Sequence, residues 1–179
     1  MIVECIIKDI QEVFQYIPYA LASGALFGLI YLVVFRFVIR RPVVLYRCMT
    51  GSLLIAYISL MLQIAFFSRE PGSRVKVSLH LFETWTQDPQ GRAYVIENIL
   101  LFIPFAILLY LFLSNFGKRL IYLVPPAGVL LSCVIEFMQL ITERGYFQVD
   151  DIFTNTVGTL IGFLICFCLH LARRHHSSS

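Results

Sequence analysis

Residues 95–113 read VIENILLFIPFAILLYLFL. The run is close to the roughly 20 apolar residues that carry a helix across a bilayer. Its interruptions are few and placed: Glu97 and Asn98 near one end, Pro104 near the middle. Four more runs of this kind surround it, at Tyr19–Ile39, Val44–Phe67, Leu120–Ile141 and Ile152–Leu171. Hydrophobic residues make up 59% of the 179-residue chain, and its mean hydropathy is +0.80. A soluble globule of 20.6 kDa could not hide so much apolar surface behind a polar coat. The expected fold is an all-α integral membrane protein: a compact bundle of five transmembrane helices forming one domain over residues 1–174. Residues 175–179 are expected to be a disordered tail.

The first seventeen residues have another character. Ile2, Val3, Ile6, Ile7, Ile10, Val13, Phe14 and Ile17 recur at helical spacing, while Glu4, Lys8, Gln11, Glu12 and Gln15 fall largely on the other side. That pattern predicts an amphipathic helix lying in the membrane interface. The alternative is a first turn that extends the first span. Pro18 can open the spanning helix, because its missing N–H is not needed there. The acids in this segment and the lack of a basic leader argue against a cleavable signal peptide.

Basic residues set the expected orientation. Arg36, Arg40, Arg41, Arg47, Lys118, Arg119, Arg173 and Arg174 fall on one side of the spans; Lys8, Arg69, Arg74, Lys76, Arg92 and Arg144 fall on the other. The positive-inside rule puts the first set in the cytoplasm. The N-terminus, the 69–92 loop and the 142–150 turn then face outward, and the C-terminus is cytoplasmic. Basic residues at the ends of apolar runs suit lipid headgroups and give no nucleic-acid footprint. The five cysteines sit mostly in apolar surroundings without zinc spacing, which suits packing.

Polar residues gather at the outward helix ends. Glu97 and Asn98 begin the third span, Glu136 and Gln139 lie near the outer end of the fourth, and Asp150, Asp151 and Asn155 begin the fifth. At 1.5 Å rise per residue, Glu136 and Asn155 each sit about 6–8 Å inside their helix ends, so they can meet at one depth. Glu136 and Gln139 share a helical face, as do Asp151 and Asn155. Gly158 and Gly162 continue the second stripe and allow close backbone approach. Glu136 stands out, because an ionisable group in a span is costly and usually faces protein or a water-filled pocket. It could accept a proton, bind a metal, or simply pair with Arg144 or Arg92. Arg69, Arg92 and Arg144 could grip phosphate through their planar forks. Asp150 and Asp151 also suit the positive end of the last helix. No dedicated metal signature occurs, so no metal ligands are assigned. Magnesium held with Glu136, Asp150 and Asp151 is the one cofactor these acids could take.

The same residues carry a family pattern. It comprises Glu97–Phe105 (ENILLFIPF), Ser132–Gln139 (SCVIEFMQ), Arg144, and Val149–Gly162 (VDDIFTNTVGTLIG). In order and spacing these segments resemble the VanZ-like family. The family's usual positions are filled here by Asn98, Pro104, Glu136, Gln139, Arg144, Asp150, Asp151, Asn155 and Gly158. Two departures stand out. Ala106 occupies a place where glycine is frequent, and Arg74–Phe82 replaces the family's usual loop motif. The resemblance implies a bacterial cell membrane protein linked to resistance against lipoglycopeptide antibiotics of the teicoplanin type. It implies a physiological area and no particular reaction.

Together these features predict an outer-leaflet protein that binds or modifies a cell-envelope lipid or lipid-linked glycan. Its partners would be membrane lipids, an isoprenoid-phosphate or glycolipid ligand, or the lipoglycopeptide itself. In this reading Arg69, Arg92 and Arg144 hold phosphate, Glu136 and Asp151 orient a sugar or a proton, and Asn98, Gln139 and Asn155 supply neutral hydrogen bonds. A second reading is a membrane-embedded hydrolase or transferase with catalytic Glu136, Asp150 and Asp151. It would act on a lipid-linked phosphate or sugar. A third is a small transporter or accessory subunit, which the nearly pure apolar inner halves of the helices disfavour. Whether the protein is an enzyme stays open, as does monomer against homodimer.

Overall fold

The computed structural model describes residues 2–67, 77–78, 80, 85, 89–145 and 147–176. Among these residues six α-helices follow in order: α1 (Ile2–Val13), α2 (Ile17–Val33), α3 (Leu45–Phe67), α4 (Pro89–Ser114), α5 (Val124–Ile141) and α6 (Val149–His176). Five helical stretches are long and apolar enough to cross a membrane. The first runs through α1 and α2 to Val38, and the others match the remaining runs read from the sequence. The chain is an all-α, multi-pass membrane protein. Most of the 69–92 loop, including Arg69 and Arg74, and the tail beyond His176 lie outside the described residues.

Prolines shape two helix entries in the same way. Pro18 has no N–H to offer the carbonyl of Phe14, and Ile17 N–H takes that acceptor instead, giving a 3-10 turn over Phe14–Tyr16. Pro125 leaves the Ile121 carbonyl open, Val124 N–H fills it, and a 3-10 turn covers Leu120–Leu123. Each proline thereby sits in the first turn of its helix, where a missing donor is tolerated.

Helix α1 divides into three faces. Ile2, Cys5, Ile6, Asp9 and Val13 are partly buried. Val3, Ile7, Ile10 and Phe14 form an exposed apolar stripe. Glu4, Lys8, Gln11, Glu12 and Gln15 form the exposed polar stripe. At 100° per residue these stripes sit about a third of a turn apart. The inward stripe packs against α4.

The bundle is held by close helix contacts. A Cβ on Gly158 would collide with the backbone oxygen of Ile99, and one on Gly162 with that of Ile103. The glycine stripe of α6 is thus used within the chain, against α4. Gly24 and Gly28 do the same for α2 against Ser52 of α3. Small residues matter here because bilayer helices associate through packing and interhelical hydrogen bonds. One apolar cluster joins Leu54, Met61, Phe102, Phe105 and Ile135; a second joins Ala106, Tyr110, Ile121 and Val124. Exposed Leu21, Leu26, Leu29, Leu130 and Leu164 present apolar surface suited to acyl chains.

Two turns meet at one end of the bundle. Arg47 Nη2 donates to Asn115 O at 2.8 Å, and its guanidinium lies 4.9 Å from the Phe116 ring centroid. The opposite end carries a two-residue parallel pairing of β1 (Val77–Ser78) with β2 (Phe147–Gln148), in register Val77–Phe147 and Ser78–Gln148. This pairing ties the long loop to the α5–α6 connection.

A candidate ligand cavity beneath the N-terminal helix

Three polar helix ends converge as their depths suggested. A cavity of about 310 Å³ opens among α1, α3, α4, α5 and α6. Polar side chains on its lining are Asp9, Tyr57, Tyr94, Glu97, Asn98, Glu136, Gln139, Gln148, Asp151 and Asn155. Apolar side chains on it include Ile6, Ile10, Val13, Met61, Ile64, Leu101, Phe102 and Ile135. A concave apolar space with a few convergent polar groups is the usual form of a small-ligand site.

Glu136 is 2% exposed. Its Oε2 accepts Gln148 N–H at 2.9 Å, so the β1–β2 pairing helps fix the carboxylate. Gln139 Nε2 donates to Ala65 O at 3.1 Å, and Arg144 Nη1 donates to Phe66 O at 2.6 Å. Ala65 and Phe66 belong to the last turn of α3, where carbonyls lack helical partners. Gln139 and Arg144 therefore cap α3 from α5 and from the turn that follows it. A guanidinium at a helix C-terminus is also favoured by the dipole.

The turn that delivers Arg144 is a Schellman motif. Arg144 N–H reaches back to Gln139 O at 3.1 Å, and Glu143 adopts φ 54°. Glycine usually takes that left-handed position. A non-glycine residue there carries local strain of about 1–2 kcal/mol.

Across the cavity, Asn155 Nδ2 donates to Ser132 Oγ at 2.9 Å, linking α6 to α5. Thr159, fully buried one turn below, donates its hydroxyl to Asn155 O at 2.9 Å and fills the space opposite Gly128. Tyr57 Oη donates to Leu101 O at 2.8 Å, tying α3 to α4 near Pro104.

On the α1 side, Asp9 and Glu97 both line the cavity. Asp9 Oδ2 accepts Gln90 Nε2 at 2.8 Å, which joins α1 to α4.

Three residues of the lining each carry a side-chain oxygen that is buried without a hydrogen-bond partner among the described residues: Glu97 Oε1, Gln139 Oε1 and Asn155 Oδ1. Gln139 and Asn155 are more than nine-tenths buried. Leaving such an atom unpaired costs about 1–3 kcal/mol, so each is an acceptor still open to a donor.

Of the residues expected at the site, Asn98, Glu136, Gln139, Asp151 and Asn155 line the cavity. Asp150 is buried but is not on its wall. Arg144 turns to the α3 terminus, and exposed Arg92 donates to Trp85 O at 3.3 Å; neither lines the cavity. Arg69 lies outside the described residues. No group of three or more His, Cys, Asp or Glu side chains among the described residues is arranged to hold a metal ion. Asp9, Gln148 and Ser132 were not expected as site residues. For Asp9 the signal existed: an acid shares the inward stripe with Ile2, Ile6 and Val13, where an apolar residue would be normal.

A family model described as VanZ/LLP1 matches residues 53–170, well over half of the chain, from within α3 to within α6. A curated relative, Protein VanZ of Enterococcus faecium, is 41% identical over 69 residues. That stretch covers 38% of this chain and 40% of the relative, so the match spans about two fifths of the relative's length. No solved structure matches the chain significantly.

Proposed function

The chain belongs to the VanZ/LLP1 family, and on that premise we propose that its cavity binds the headgroup of a cell-envelope lipid or lipid-linked glycan at the outer leaflet. The observation that carries this reading is the pairing of buried, unpartnered oxygens with an apolar wall in one membrane-embedded hollow. A polar headgroup would satisfy the oxygens while its hydrocarbon part lies against Met61, Phe102 and Ile135. The hollow of about 310 Å³ would take the headgroup, with the acyl chains remaining in the bilayer. Gln148, on the lining, belongs to the bundle end opposite the Arg47–Asn115 contact, in keeping with an outward site under the positive-inside rule. Resistance to lipoglycopeptides would follow if engaging that lipid removed a surface feature on which the drug depends.

The test is lipid analysis of protein purified gently from its native membrane. One lipid class should be enriched over the bulk membrane and lost from Gln139→Leu and Asn155→Leu proteins that still fold. Copurified lipid that mirrors the bulk membrane for all three proteins would overturn the reading.

A further inference from the structure

The chemistry of the wall narrows the ligand, on the condition that the cavity is a lipid headgroup site as argued above. The three unpartnered atoms are all oxygens: Glu97 Oε1, Gln139 Oε1 and Asn155 Oδ1. The amide nitrogens of Gln139 and Asn155 are already used, on Ala65 O and Ser132 Oγ. Both amides are thereby oriented with their acceptor ends left over. No Lys, Arg or His lies among the described residues of the wall, while carboxyl groups do.

An ionised phosphate brings only acceptors. Placed among these oxygens it would leave all three unpaired and add repulsion in a low-dielectric setting. A protonated primary amine brings three N–H donors and a positive charge. Hydrogen bonds to a charged group are also the stronger kind. Sugar hydroxyls can donate, but each adds lone pairs to a wall already rich in them.

We propose that the cavity receives a primary ammonium group carried by a lipid, with Gln139, Asn155 and Glu97 as its acceptors. The lipid's phosphate then lies outside this wall, toward the mouth. This assigns selectivity to the amide and carboxyl oxygens and differs from recognition through the arginines.

The experiment uses the full chain in detergent with defined lipids, read by native mass spectrometry. The probes are phosphatidylethanolamine, its N-acetylated derivative, phosphatidic acid and a diglucosyl diacylglycerol, with free ethanolamine as competitor. Phosphatidylethanolamine should be retained about tenfold more than its N-acetylated form or phosphatidic acid, the ratio expected from losing one charged hydrogen bond. Gln139→Leu should abolish that preference. Asn155→Asp keeps an oxygen in place and adds charge, so it should hold phosphatidylethanolamine at least as well; it serves if Gln139→Leu does not fold. Competition by free ethanolamine would show that the ammonium suffices, and its failure would show that the lipid body is needed as well; both fit the proposal. Equal retention of the N-acetylated lipid, or preferential Gln139-dependent retention of phosphatidic acid or the glycolipid, would overturn the amine assignment and leave the lipid site standing. No Gln139-dependent retention of any probe, with native copurified lipid matching the bulk membrane, would overturn both.

Discussion

Asn155 of α6 donates its amide to Ser132 of α5 at 2.9 Å, in a place where both residues are almost fully buried. The bond crosses two helices and leaves Asn155 Oδ1 buried without a partner among the described residues. A double-mutant cycle with Ser132→Ala and Asn155→Leu, read by thermal unfolding in detergent, should give a coupling of about 0.6–1.7 kcal/mol, as membrane interhelical bonds do. Additive single effects would mean that the two side chains do not support each other.

Arg144 is a fastener between α5 and the end of α3. Arg144→Ala removes a charged donor from Phe66 O and should lower stability by about 1.5–3 kcal/mol. Arg144→Lys should recover part of the loss, since it keeps the charge and gives up the fork. Thermal unfolding of the three proteins without added lipid checks this. An unchanged midpoint for Arg144→Ala would remove the capping role and favour the phosphate-gripping role read from the sequence.

Gly158 lets α6 lie against the backbone of α4. Gly158→Val should cost at least about 1–3 kcal/mol, the range for overpacking, because a backbone carbonyl yields less readily than a side chain. Val134→Leu, at an exposed position, should leave stability nearly unchanged. Size-exclusion profiles and unfolding midpoints distinguish the two.

Asp9 holds α1 over the cavity through its bond from Gln90. Asp9→Leu keeps the inward stripe apolar and removes that bond. Amide hydrogen exchange should speed up across Ile2–Val13 while α5 and α6 keep their protection. Lipid retention should fall with it. Unchanged exchange in α1 would mean that its apolar stripe alone seats it.

Orientation is open to a direct check. In a cysteine-free background, Gln11→Cys should react with a membrane-impermeant maleimide on intact cells. Lys118→Cys should react only after lysis. The reverse pattern would turn the cavity toward the cytoplasm and remove the outer-leaflet proposal.

The sequence carried the five spans and the depth at which polar residues would meet. Apolar run length and helical period are local quantities, and a bilayer makes them nearly sufficient, since every backbone group must be satisfied within its own segment. It also held Glu136, Gln139, Asp151 and Asn155 together, because helix rise and phase place residues three or four apart on one face. Only the tertiary structure decided which neighbour each polar group meets. Arg144 and Asp151 lie close in sequence, yet one caps α3 and the other lines the cavity. Asp9 meets Gln90 from 81 positions away. Those choices follow from how α1, α3 and α4 pack and from which carbonyls they leave open, and no single segment encodes them.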